Sequence, residues 1–129
     1  AHELGHFKKK HIWKMMAFSF IILLISLYFI AVNINIIIYS KYINIFQIAF
    51  YLSILQNITM ILDNLYSRKN EYEADNYAKE MMGTGKELIS ALEKLKKENL
   101  ADENPNEIAE FIFYSHPSIK KRIKRLKGD

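Results

Sequence analysis

His2-Glu3-Leu4-Gly5-His6 opens the chain, and Glu71-Tyr72-Glu73-Ala74-Asp75 follows after a long apolar stretch. On a helix, residues four apart lie on one face, so His2 and His6 can aim at one metal ion. Glu3 follows the first histidine directly, where a carboxylate can take a proton from water at that metal. A catalytic zinc site uses three protein ligands and keeps one position open. The histidines supply two, so a later acid has to supply the third. Glu71 and Asp75 are four apart and share a helix face. Glu71 is the expected ligand. Asp75 can then accept a hydrogen bond from the free ring N–H of a ligand histidine, which fixes that ring's tautomer. Glu73 points elsewhere on the helix, without such a partner, and is the alternative ligand. Two histidines and an acid on a helix also occur as ordinary surface; the second acidic element favours the metal site.

The 129 residues suffice for one ordinary domain, but their charge is unevenly placed. No charged residue occurs from Met15 to Ser40 or from Tyr42 to Leu62, and only Lys41 stands between. A bilayer span takes about 20 mostly apolar residues, and each run is long enough. The expected fold is all-α: a two-span transmembrane helical hairpin inserted between an HExxH helix and a C-terminal soluble helical domain. The competing reading is a pair of buried helices in a soluble core, which rarely stay uncharged for this length. The first run is not a signal peptide, because a metal motif precedes it and a second run follows it with no small-residue cleavage site. The expected units are 1–12, the active-site helix; 13–66, the hairpin; and 67–129, the helical domain with the third ligand. Within them, Ala1 to about Lys10 forms the metal-binding helix, open to running on into the first span, Trp13–Ile38. Val32–Tyr39, with its asparagines among β-branched residues, is where that span would leave helix early. Tyr39–Asn44 is the expected turn and Ile45–Tyr66 the second span.

Lys8, Lys9, Lys10 and Lys14 before the hairpin, with Arg68 and Lys69 after it, outnumber Lys41 at its tip. The positive-inside tendency places the tip outside and the metal site on the cytoplasmic side of a multi-pass protein. Two spans return the chain to the leaflet it left, so Glu71 can rejoin His2 and His6. Trp13 and His11 read as interfacial residues. The abrupt start at the metal motif leads us to expect the C-terminal part of a longer membrane protein.

Beyond the second span the pattern is helical from Asn70 to Met82, then broken by Gly83-Thr84-Gly85. Lys86–Asn99 reads as a helix with Leu88, Ile89, Leu92 and Leu95 on one face. After an expected turn at Asp102–Pro105, Glu107–Tyr114 reads as a helix with Ile108, Phe111 and Ile112 inward. His116-Pro117 breaks it, and Ser118–Lys127 is a short basic helix. The net charge is +4, and the last helix reads as a solvated or lipid-facing surface. No aromatic stacking platform or recognition motif accompanies it, so nucleic acid is not an expected partner. With no cysteine, disulfides and thiolate zinc sites are excluded. Three further residues are candidates. His116 reads as a loop residue or as a donor to the oxyanion of a tetrahedral intermediate. Arg68 reads as a membrane-flank charge or the partner of a nearby acid. Arg122 is either solvated or ties the last helix to an acidic group.

The ordered set of HELGH at 2–6, two apolar runs, Tyr66-Ser67-Arg68 leading into Glu71-Tyr72-Glu73-Ala74-Asp75, and Ser115-His116-Pro117 with Arg122-Ile123 resembles a known superfamily. It is that of the membrane zinc metalloproteases of the CAAX prenyl protease type I and HtpX kind. The resemblance covers most of the chain. It implies one zinc ion held by His2, His6 and Glu71, with Glu3 as general base, Asp75 behind a ligand histidine, and His116 and Arg122 near the site. It implies an integral-membrane zinc endopeptidase that cuts a peptide or protein substrate, prenylated or membrane-embedded, near the lipid bilayer surface. Leu95 to Tyr114, leading into Tyr-Ser-His-Pro, resembles the prenyl protease branch somewhat more than HtpX. The alternatives are an HtpX-like membrane-protein quality-control protease and a catalytically inactive membrane-anchored interaction fragment.

Overall fold

The computed structural model describes residues 1–39, 45–98 and 105–128, and every regular element among them is an α-helix. These are α1 His2–Lys8, α2 His11–Tyr39, α3 Ile45–Met82, α4 Lys86–Glu98, α5 Glu107–Phe113 and α6 Ile119–Lys127. The all-α expectation holds. The hairpin tip at Lys41 and most of the expected Asp102–Pro105 turn lie outside the described residues.

The metal-motif helix does not run on into the apolar one. α1 ends at Lys8, and Lys10 adopts a left-handed backbone with φ 55°. A side chain there costs on the order of 1–2 kcal/mol, and the break frees α2 from the helical register of α1. α2 then stays helical to Tyr39, so Val32–Tyr39 does not leave helix early. Its β-branched residues and asparagines give up only some tenths of a kcal/mol each in helix propensity. Among the described residues, the segment His11–Val32 is long and apolar enough to cross a bilayer, and past His11 at its start its side chains are exposed or only partly covered.

α3 is one uninterrupted helix of 38 residues, about 57 Å long at the usual rise. It joins the second uncharged run to the acidic element with no break at Tyr66. Near the metal motif it pairs with α2. Phe18 stacks on Tyr66 with ring centroids 4.7 Å apart, and Ser19 Oγ donates to Asp63 Oδ1 at 3.1 Å. Numbers rise on one helix as they fall on the other, so the two are antiparallel neighbours.

α1 crosses α3 at backbone distance. A Cβ on Gly5 would meet Ala74 Cα at 3.0 Å and Ala74 carbonyl oxygen at 3.1 Å. Ala74 and Ala78 are fully buried and, with Leu92 and Leu126, make up the small apolar core among the described residues.

The C-terminal helices are held more by polar contacts than by the apolar faces expected of them. Ile108 and Phe111 are 70% and 51% exposed, and Leu95 is 46% exposed. The buried residue of α5 is Glu110. The last carbonyls of a helix have no intrahelical donor, and Arg68 fills that need. Its guanidinium donates to the carbonyls of Glu110 at 3.0 Å, Phe111 at 2.9 Å and Tyr114. Arg68 is therefore a cap for α5 and not the partner of an acid. Asn64 Nδ2 adds a bond to the Ile112 carbonyl at 2.8 Å. Glu110 in turn accepts from Ser118 N at 2.8 Å and Lys121 Nζ at 2.9 Å, which fixes the start of α6.

Gly5→Ala tests the crossing. Helix propensity alone favours alanine by about 1 kcal/mol. The added methyl meets backbone atoms that cannot swing aside, and overpacking costs about 1–3 kcal/mol. The expected outcome is a net loss of stability, read as a lower midpoint in thermal unfolding of the detergent-solubilised protein. A raised midpoint would mean that α1 and α3 do not meet this closely.

Candidate metal centre

The α1–α3 crossing aims three side chains at one point. His2 Nε2 lies 3.2 Å from His6 Nε2. Glu71 Oε1 lies 3.3 Å from His6 Nε2, and Oε2 lies 3.5 Å from His2 Nε2. These three residues form the grouping able to hold a metal ion among the described residues. Ligand atoms about 2.0–2.2 Å from one ion in tetrahedral array sit roughly 3.3–3.6 Å apart, so the separations fit a zinc-sized ion. The donor chemistry fits as well. His2 Nδ1 lies 2.8 Å from Asp75 Oδ1 and donates to it, which turns the other nitrogen of the ring toward the shared point.

Two carboxylates stand in this half-buried site, and both are kept ionised. Burial works against the charge of Asp75, but hydrogen bonds from His2 and Arg122 outweigh it and hold its pKa below the usual range. Burial also opposes the charge of Glu71; the hydrogen bond from His2 and the positive charge of Arg122 prevail and lower its pKa. Arg122 supplies the fixed cation. Its Nε and Nη2 donate to the two oxygens of Asp75 at 2.8 and 2.7 Å, a bidentate fork, while Nη1 lies 3.3 Å from Glu71 Oε2. Hydrogen bonding to Asp75, then to Glu71, raises the His2 pKa to about 9. Without metal, His2 therefore carries a proton at neutral pH, and a bound ion must replace it. His6 moves the other way, lowered chiefly by burial.

The remaining sequence candidates fall around this point. Glu3 is exposed on α1, close enough for its charge to act on His6. His116 follows α5 and brings Nδ1 to 3.2 Å from Glu71 Oε1 while its side chain stays 66% exposed. Arg122 reaches in from α6. Arg68 stays outside, capping α5.

Sequence reading missed His11 and misplaced Glu73. His11 is not interfacial; it is 2% exposed. Its Nδ1 lies 3.0 Å from His6 Nδ1, and its Nε2 lies 3.2 Å from Glu73 Oε2. Glu73 thus has a partner, and it is that histidine. On a straight helix, residues five apart are about 140° out of phase, so His11 reads as facing away from His6. The left-handed residue Lys10 breaks that phase. A histidine just past the expected helix end, with a lysine run between, was the only available signal.

Comparison with known proteins finds relatives along nearly the whole chain. The chain is 29% identical over 151 residues to CAAX prenyl protease 1 of Saccharomyces cerevisiae, covering 98% of this chain and 33% of that protein. It is 30% identical over 142 residues to a CAAX prenyl protease 1 homolog of Oryza sativa, covering 98% and 32%. A protease HtpX homolog of Helicobacter acinonychis is 38% identical over 84 residues, covering 57% of this chain and 27% of that protein. The chain thus spans about a third or less of these relatives. No solved structure matches it significantly. The family model described as peptidase family M48 matches residues 1–129, and since that match takes in every residue of both metal-motif segments, the chain belongs to peptidase family M48.

Proposed function

We propose that the protein carrying this chain is an integral-membrane zinc endopeptidase of the CAAX prenyl protease kind. The observation that carries the reading is the meeting of His2, His6 and Glu71 within ligand-to-ligand distance of one another. A zinc ion held there supplies Lewis acidity, lowering the pKa of water and polarising a carbonyl. The chain's own groups do the rest. Glu3, one residue after His2, accepts the proton of the attacking water and passes it to the leaving amine. Asp75 holds His2 in the tautomer that presents Nε2, and Arg122 holds Asp75 ionised. His116, on the solvent side with Nδ1 3.2 Å from Glu71 Oε1, is the candidate donor to an oxyanion.

The substrate we favour is a C-terminal prenylated CAAX peptide, in keeping with relatives named CAAX prenyl protease 1 along nearly the whole chain. The 38% identity to an HtpX homolog favours a second reading, a quality-control protease acting on membrane-protein segments. Cleavage of a prenylated peptide against its unprenylated form separates the two. An inactive membrane-anchored fragment would need no stoichiometric metal. The exposed apolar surface of His11–Val32 supports membrane insertion. With α3 returning antiparallel, it supports a multi-pass hairpin whose two ends share one side, and the positive-inside tendency makes that side the cytoplasmic one. The three expected units, 1–12, 13–66 and 67–129, are read in the same way, with α3 bridging the last two.

Glu3→Gln is expected to keep zinc and lose most proteolysis. An amide of the same shape cannot take the proton, and general acid–base catalysis is worth about 10²–10⁴-fold in rate. His6→Ala should lose metal as well as activity. Zinc content by atomic absorption and turnover of a prenylated peptide read the two effects separately; wild-type turnover by Glu3→Gln would remove Glu3 as the base.

Cysteines placed at position 41 and at the C-terminus should label from opposite sides of the membrane in intact cells. Labelling of both from one side would overturn the hairpin topology.

A further inference from the structure

Resting on the metal reading of the site, we propose that His11 and Glu73 are positioning residues for His6. They act as a relay that fixes the His6 tautomer from a carboxylate two side chains away. The argument is one of donors and acceptors. Glu73 Oε2, at 3.2 Å, faces His11 Nε2. An ionised carboxylate only accepts, so His11 Nε2 carries the proton. A His11 ring with its one proton on Nε2 has an acceptor at Nδ1, which lies 3.0 Å from His6 Nδ1. A hydrogen bond across that gap needs one donor, so the His6 proton sits on Nδ1. The lone pair of His6 is left on Nε2, the atom that faces His2 Nε2 and Glu71 Oε1. With one proton on each ring, the opposite arrangement puts a proton on His6 Nε2, aimed at the shared point, and sets His11 Nε2 against the Glu73 carboxylate as two acceptors.

The two ligand histidines are therefore backed differently. His2 has its carboxylate in direct contact, Asp75 at 2.8 Å. His6 has its carboxylate one imidazole further out. The relay crosses between elements: His6 stands on α1, His11 opens α2 and Glu73 lies on α3. His11 is 2% exposed, so water does not compete for its ring nitrogens. The Glu73 side chain is 35% exposed and lies 3.9 Å from Lys69 through its other oxygen. The relay thus ends at a partly solvated carboxylate beside a lysine, where a charge is cheap to keep.

The test is zinc affinity of the full chain in detergent micelles, measured by competition with a chromophoric chelator. The variants are Glu73→Ala, His11→Leu and His11→Asn, each checked for native helix content by circular dichroism. Loss of an outer hydrogen-bond partner of a metal-bound histidine weakens affinity about 10–100-fold. Glu73→Ala and His11→Leu should fall in that range. His11→Asn offers an amide oxygen where Nδ1 sits and should recover much of the loss. A purely structural role for His11 lowers the unfolding midpoint while the folded fraction binds zinc as the wild type does, and that result overturns the proposal. If His11→Leu does not fold, Glu73→Ala decides, because Glu73 is partly exposed and its truncation leaves the apolar core untouched; wild-type affinity there overturns the relay. Failure of the wild-type chain to bind zinc removes the metal reading itself and the relay with it. Wild-type binding alongside unchanged variants removes only the relay.

Discussion

The close crossing of α1 over α3 is the constraint on which the rest depends. α1 is seven residues long, too short to be stable alone in water. It holds its place because Gly5 has no side chain and Ala74 has a small one, so the two helices meet at backbone distance. Gly5 lies between His2 and His6, and Ala74 lies between Glu71 and Asp75. The contact that packs the helices is thus flanked on each side by the groups that converge. Packing and site geometry are one requirement, and a larger residue at either position separates the ligands as it separates the helices.

Beyond that crossing, stability comes from a chain of polar contacts. Arg68 caps α5, Glu110 on α5 anchors the start of α6, and α6 delivers Arg122 to Asp75. Each step satisfies groups that would otherwise stand unpaired at a helix end or inside the site. Breaking one partner of a buried, charged pair costs far more than a surface ion pair contributes. The small apolar core explains why such contacts are needed, since the four apolar side chains buried among the described residues cannot order three short helices. The last of these contacts also serves the site: with His2, the guanidinium that ties down α6 keeps Asp75 ionised.

Helical periodicity made the elements legible. The i, i+4 spacing of His2 with His6 and of Glu71 with Asp75 survives because each pair lies within one helix. The chain's uncharged runs likewise give the long helices directly. What was not legible depended on events between helices. His11 needed a left-handed Lys10 to bring it under His6, and a lysine gives no warning of that backbone, as a glycine would. Ile108, Phe111 and Leu95 read as inward because periodicity assigns a helix a face but does not supply the partner that covers it. Arg68 reads as a membrane-flank charge or a partner for acids because carbonyl caps carry no sequence signature. In each case the local pattern was sound, and tertiary contact decided the outcome.

The continuity of α3 carries the argument from site to membrane. Leu62 ends the second uncharged run, and Glu71 lies nine residues further along the same unbroken helix, about 13 Å at the usual rise. No loop intervenes, so the height of Glu71 above the apolar stretch is set by helix geometry. The Ser19–Asp63 bond and the Phe18–Tyr66 stack fix α2 alongside at the same level. α2 in turn begins at His11, which touches His6. Both sides of the site are therefore referenced to one rigid pair of helices. The site is thereby set beyond the end of the uncharged stretch of α3, at a height that helix geometry fixes.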